Sequence, residues 1–187
     1  MELTARWTPL DYHPVQARLW RSRARFRVVP AGRRSGKTEL AKRFTVIEAM
    51  KCTRISGRFV VAAPTRDQAR RIYWDDLKAL VPPDLMLGPP RESEMKIFFA
   101  HNKASIEVTG MDVPQRVEGA PLDGIVLDEY ADMKERAWNE HVRPALSTKN
   151  RLGWAWFVGV PEGRNHYYNL AMKAQDPRFQ PEWEYFH

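Results

Sequence analysis

The sequence predicts an α/β domain, a mostly parallel sheet covered by helices on both faces. Short β-rich runs alternate with stretches of helical periodicity along the chain. The run Gly124-Ile125-Val126-Leu127 is apolar throughout, as a strand buried on both faces must be. The first β-rich run passes through a glycine-bearing turn straight into a helical stretch, the arrangement that places ligands at the carboxyl ends of parallel strands. With 187 residues, 43% of them apolar, the chain is read as one domain over 1–187 with a real core.

Taken in order, Phe26-Arg27-Val28-Val29 is a strand ending at Pro30. Lys37 to Lys51 is a helix carrying Leu40, Phe44, Ile47 and Met50 on one face. Arg58 to Ala63 is the second strand, stopped by Pro64, and Thr65 caps a helix that runs to Leu80 before Val81-Pro82-Pro83 ends it. Between Met95 and Gly110, two β-rich runs flank His101-Asn102-Lys103 and predict a β-hairpin. The buried strand ending at Asp128 follows, then a charged helix over 134–147, a strand over 154–160 and a helix over 164–175.

Composition narrows the function. The single cysteine, Cys52, forms no intrachain disulfide, and the five histidines show no metal-ligand spacing. No window approaches the ~18 apolar residues of a membrane span, and the N-terminus lacks the apolar core of a signal peptide, so an intracellular protein with no membrane partner is expected. A net charge of +7 favours a polyanionic partner, because lysine and arginine release counterions condensed on phosphates.

The chemistry is concentrated in two places. Ala31-Gly32-Arg33-Arg34-Ser35-Gly36-Lys37-Thr38 stands between strand and helix as a phosphate loop. Its backbone N–H groups and the free helix amides converge on phosphate oxygens, Lys37 reaches the β/γ-phosphates, and the Thr38 hydroxyl is placed to ligate Mg²⁺. The usual first glycine is replaced by Ala31, with the glycine shifted to Gly32. Ninety-odd residues on, Asp128 and Glu129 end the apolar strand. In nucleotide hydrolysis the first such carboxylate orients the Mg²⁺ shell and the second activates the attacking water.

These residues together resemble the ATPase domain of the large terminase subunit family, the DNA-packaging motors of tailed bacteriophages and herpesvirus-like capsids. Gly32 to Thr38 resembles that family's deviant, arginine-bearing phosphate loop. Tyr12-His13-Pro14-Val15-Gln16 resembles its adenine-recognising segment, placed at about 1–25, in which a glutamine amide reads the base. Ala63 to Ala69 resembles its next motif, and Val160 to Tyr168 its coupling segment, with Gly159 and Val160 where hydroxyls are usual. The resemblance implies a RecA-like P-loop fold of the ASCE group and ATP and Mg²⁺ as cofactors. It assigns ATP binding to Gln16, Gly32, Arg33, Arg34, Ser35, Gly36, Lys37 and Thr38, metal binding to Thr38 and Asp128, and catalysis to Glu129.

It further implies double-stranded DNA, a portal or procapsid and a small terminase subunit as partners, and a homo-oligomeric ring that is monomeric in isolation, acting in the host cytoplasm. A nuclease domain, usual in this family, has no room before His187. An arginine finger is expected from Arg116, acting on a neighbour, or from Arg33 or Arg34 within the loop. Arg66, Arg70 and Arg71 read as a solvated helix face in preference to a DNA-facing stripe. A helicase or recombination ATPase shares the two nucleotide motifs and is the alternative reading.

Overall fold

A computed structural model of the chain describes Trp7 and residues 11–32, 34–160 and 162–187. Its centre is a seven-stranded sheet of β1 (Phe26–Pro30), β2 (Arg58–Ala63), β3 (Lys96–Phe98), β4 (Ser105–Gly110), β5 (Gly124–Leu127), β8 (Trp154–Gly159) and β9 (Trp183–Tyr185), in the order β3-β4-β2-β5-β8-β1-β9. All neighbours pair in parallel except β3 and β4, the expected hairpin. Asn102 at the hairpin tip is buried and donates to the Ala49 and Cys52 carbonyls at 2.9 Å, so the tip is tied to the end of α2 (Lys37–Lys51).

The interior strands are buried on both faces, and their side chains alternate between two cores. Val29, Val61, Val126, Trp156 and Val158 face one, with Leu40 and Phe44 of α2. Val28, Val60, Ala62, Ile125, Leu127 and Phe157 face the other, with Trp138 and Tyr167. Each large side chain fully withdrawn from water contributes about 1.5–3 kcal/mol, so register is strongly specified. Arg27 is the exception in this pattern. It points into the α2 core beneath Phe44 and Trp156, and burial lowers its pKa to about 10 despite the opposing fields of Glu48 and Glu184.

At the end of the sheet away from the phosphate loop, Asp123 gathers three segments. It accepts from the Arg54 guanidinium at 2.9 Å, from Arg151 at 2.5 and 3.0 Å, and from the Arg58 backbone N–H at 2.7 Å. Burial alone would raise the Asp123 pKa, but these donors outweigh it and hold the carboxyl below its usual range.

Several elements differ from expectation. The helix expected to Leu80 is α3 (Arg66–Ala69), a π-helical segment (Arg70–Trp74) and α4 (Asp75–Leu80). The charged helix over 134–147 contains a second π-helical segment (Ala137–Val142) and ends in α5 (Arg143–Ala145). A small hairpin of β6 (Ser147–Thr148) and β7 (Arg151–Leu152) follows it. The strand expected over 154–160 stops at Gly159, and the last helix, α6 (His166–Gln175), starts one residue after Asn165, whose side chain accepts from the Tyr167 and Tyr168 N–H groups. Helix α1 (Pro14–Arg21) and strand β9 were not expected. Among the described residues no helix is long and apolar enough to cross a membrane.

Candidate active site

Strand β1 delivers the phosphate loop, and β8 fixes where the loop begins, because the Ala31 N–H donates to the Gly159 carbonyl at 3.0 Å. The loop turns through two left-handed residues, Arg34 (φ 63°) and Gly36 (φ 73°). Gly36 caps α2 without a side-chain bond, so amides of the first turn of α2 lack a side-chain acceptor. A Cβ at Gly36 would lie 2.9 Å from the Gln16 amide nitrogen, so both conformation and space call for glycine there. At Gly32 no such crowding exists. Arg33 lies outside the described residues, and Arg34 is exposed.

Lys37 is buried and donates to the Ala31 carbonyl at 2.9 Å, folding its ammonium back over the loop. Thr38 donates through Oγ1 to Asp128 Oδ2 at 3.0 Å. Asp128, 1% exposed, continues the β5–β2 ladder through its N–H, and its Oδ1 accepts from the Glu129 N–H at 3.0 Å. The chain turns at Glu129 in the left-handed region (φ 52°, ψ 46°). Glu129 lines a cleft of about 400 Å³ together with Gln68, Arg71, Asp132 and Val160. Arg71 is exposed, as the solvated-face reading expects, and also lines this cleft. Arg66 and Arg70 are exposed, and Arg66 donates to the Ser93 carbonyl at 2.6 Å.

A second cleft, of about 460 Å³, opens between α1 and the loop and is walled by Val15, Leu19, Val29, Leu40 and Phe186. It is apolar enough for a base. Gln16 stands in its lining, but its amide is engaged: Nε2 donates to the Ser35 carbonyl at 2.7 Å and Oε1 accepts from the His13 N–H at 3.1 Å. The Ser35 hydroxyl is buried with no hydrogen-bond partner, an orphan that an oxygen of a bound phosphate would satisfy. The hard oxygen donors Thr38 and Asp128 likewise suit Mg²⁺, which takes one or two protein oxygens and fills its shell with phosphates and water.

The segment after β8 buttresses the turn that follows Glu129. His166 Nε2 lies 3.1 Å from the Tyr130 carbonyl, and the Tyr167 hydroxyl donates to the Phe157 carbonyl at 3.0 Å. Pro161 of that segment lies outside the described residues. Arg116 is not brought to either cleft. It sits half-exposed on the turn Pro114–Val117, 3.8 Å from Asp112, while its carbonyl accepts from Arg58 at 3.1 Å.

The residue sequence reasoning missed is Tyr73. Its hydroxyl donates to Asp128 Oδ2 at 2.7 Å from a fully buried position. Burial, and then the Asp128 charge, push the phenol pKa well above its usual value, so Tyr73 remains a proton donor. Phe186 was also missed, being carried on the unexpected β9 extension.

No family model matches the chain. Two curated relatives, each described as "Terminase, large subunit", are 31% identical across 86% of the chain, one from Thermus phage G20c and one from Thermus virus P23-45. The chain spans 36% of the length of either. Among solved structures, the large terminase ATPase domain of Thermus phage P74-26 superposes with a TM-score of 0.77 at 26% identity, over 94% of this chain and 80% of that one. The large terminase of another thermophilic bacteriophage, solved in complex with ATP-γ-S, shares the fold at a TM-score of 0.68 and 21% identity, over 93% of this chain and 43% of that one. The strand order agrees with that fold: β8 lies between β1, which carries the loop, and β5, which carries the carboxylates, as in the ASCE group of P-loop folds.

Proposed function

We propose, from the premise that the chain is a homologue of terminase large subunits and has the fold of their ATPase domain, that it hydrolyses Mg²⁺-ATP to drive double-stranded viral DNA into a procapsid. The observation that supports the reading is the hydrogen bond that joins Thr38, next to Lys37 at the start of α2, to Asp128, next to Glu129 at the end of β5.

The base enters the apolar cleft beside Gln16, which exchanges its Ser35 bond for the base edge. Ser35 and the loop amides hold the polyphosphate, and Lys37 turns from the Ala31 carbonyl to the β/γ-oxygens. Thr38 and Asp128 would hold Mg²⁺, which when bound would supply positive charge against that developing on the phosphates. Glu129 accepts a proton from water as the water oxygen bonds the terminal phosphorus and the bridging bond to ADP breaks. Arg116 serves a neighbouring subunit in a ring that assembles at the portal in the host cytoplasm, with a small terminase subunit as partner. Arg34 is the candidate for the same role within its own site.

DNA is gripped through its phosphates by the basic surface, so binding is tolerant of sequence and weakens with salt. The test is steady-state hydrolysis by the wild type and Lys37→Ala. Mg²⁺-dependent turnover that vanishes in the folded variant is expected, and near-normal turnover would remove the phosphate-loop assignment. Stimulation by procapsids separates a packaging motor from a helicase, which would respond to DNA alone.

A further inference from the structure

Tyr73 lies in the π-helical segment Arg70–Trp74, whose widened turn lets two consecutive aromatics, Tyr73 and Trp74, both face the sheet. Trp74 anchors the segment at its far side by donating to Glu92 at 2.6 Å. The Lys42 ammonium, ion-paired with Asp76 at 2.5 Å, sits 5.5 Å from the Tyr73 ring centroid. Lys42 belongs to α2, the helix that starts with Lys37 and Thr38. The phenol is thus held between the phosphate-loop helix and the acidic strand.

Its hydroxyl meets Asp128 Oδ2, and the Glu129 N–H meets Oδ1. These two donors, one at each oxygen, fix the plane of the carboxylate with groups that do not belong to the phosphate loop. The third donor, Thr38, shares Oδ2 and is the one a metal would draw away. Phenylalanine would fill the same space without a buried hydroxyl to satisfy, so packing alone does not explain tyrosine here.

Resting on the reading of this site as one for Mg²⁺-ATP, we propose that Tyr73 is a positioning residue for the metal, holding Asp128 oriented when Thr38 turns to the cation. Partners one step removed from a metal typically change its affinity 10–100-fold. Tyr73→Phe is therefore expected to leave ADP binding in EDTA within about twofold of wild type. The Mg²⁺ concentration that half-saturates the metal-dependent gain in ADP affinity rises about tenfold. Turnover at saturating Mg²⁺ is largely recovered, so the apparent activation constant for Mg²⁺ moves more than kcat.

A Mg²⁺ titration that superposes on wild type, with only a lowered Tm, would overturn the proposal and leave Tyr73 structural. A second measurement needs no Tyr73 variant: adding Mg²⁺ to the ADP-loaded wild type perturbs the tyrosine difference spectrum, and Asp128→Asn removes the perturbation. An unperturbed spectrum in protein that binds Mg²⁺-ADP counts against the proposal. If the wild type binds ADP without any response to Mg²⁺, the reading of the site itself fails, a result distinct from a normal wild type matched by its variant.

Discussion

Thr38, in the first turn of α2, and Asp128, at the end of β5, lie 90 residues apart and are joined by a hydrogen bond of 3.0 Å. The bond holds the hydroxyl and the carboxylate that are proposed to bind Mg²⁺ within one cation's reach before any ligand arrives. Such preorganisation lowers the cost of assembling the site. Thr38→Val keeps the shape and removes the hydroxyl, while Asp128 retains its donors from Tyr73 and Glu129. The variant should lose about 1 kcal/mol of stability and bind ADP normally in EDTA. Calorimetry should find the gain in affinity on adding Mg²⁺ reduced at least about tenfold.

Glu129 holds a left-handed backbone that costs a side-chain-bearing residue about 1 kcal/mol or more. Glu129→Gln should keep Mg²⁺-ATP binding while turnover falls at least about a hundredfold. Glu129→Gly should be equally inactive yet melt at or above the wild-type temperature, since glycine takes this conformation without strain. A lowered Tm in the glycine variant, or equal loss of binding and turnover in the glutamine variant, would make Glu129 structural.

Arg116, half-exposed and apart from both clefts, is placed to act outward. Activity per molecule should rise with protein concentration, and Arg116→Ala should abolish the rise with nucleotide affinity nearly intact. Mixing Arg116→Ala with Glu129→Gln subunits should partly restore turnover, because each supplies what the other lacks. If no mixture exceeds the sum of its parts while wild-type subunits assemble, Arg34 takes the role instead.

Gln16 is both a strut to the loop and a residue of the apolar cleft proposed to take the base. Gln16→Ala should reduce the preference for ATP over GTP by about tenfold, as expected when a hydrogen bond to the base is removed. Competition binding with the two nucleotides checks this. Equal weakening of both would show that Gln16 only braces the loop.

Asp123, held below its usual pKa by Arg151, Arg58 and Arg54 against the opposing effect of burial, makes stability depend on pH. Its contribution is complete above the unfolded-state pKa of about 3.9 and is lost as pH falls through the lower folded value. Asp123→Asn should cost about 3 kcal/mol at neutral pH. Denaturant titrations of the two proteins should converge as the pH is lowered below about 4. A difference independent of pH would refute the assignment.

The sequence made the central strands legible because two-sided burial demands apolar runs, and the phosphate loop and acidic pair because their residue types are chemically restricted. Other features left weaker traces. Strand β9 is three residues long and pairs with a strand that precedes it by most of the chain, so neither length nor local pattern marks it. Helix α1 holds Val15, Ala17, Leu19 and Trp20 within only eight residues, too few turns for a helical period to mark it as a cleft wall. The π-helical segment escapes periodicity because it widens one turn without ending the helix. That widening is what turns Tyr73 toward Asp128. Arg116 left no such trace: its one ion pair, with Asp112 at 3.8 Å, lies within the exposed turn that carries it and marks no site.

The strand between β1 and β5 also works as a ruler. Adjacent strands lie about 4.8 Å apart, so interposing β8 sets the axes of β1 and β5 about 10 Å apart. On the reading proposed above, that spacing leaves room for a terminal phosphoryl group and a water between the end of β1 and the end of β5. Where β8 ends, glycine at 159 leaves room for the turn after Glu129, since a Cβ there would lie 3.3 Å from both the Tyr130 nitrogen and the Tyr167 ring.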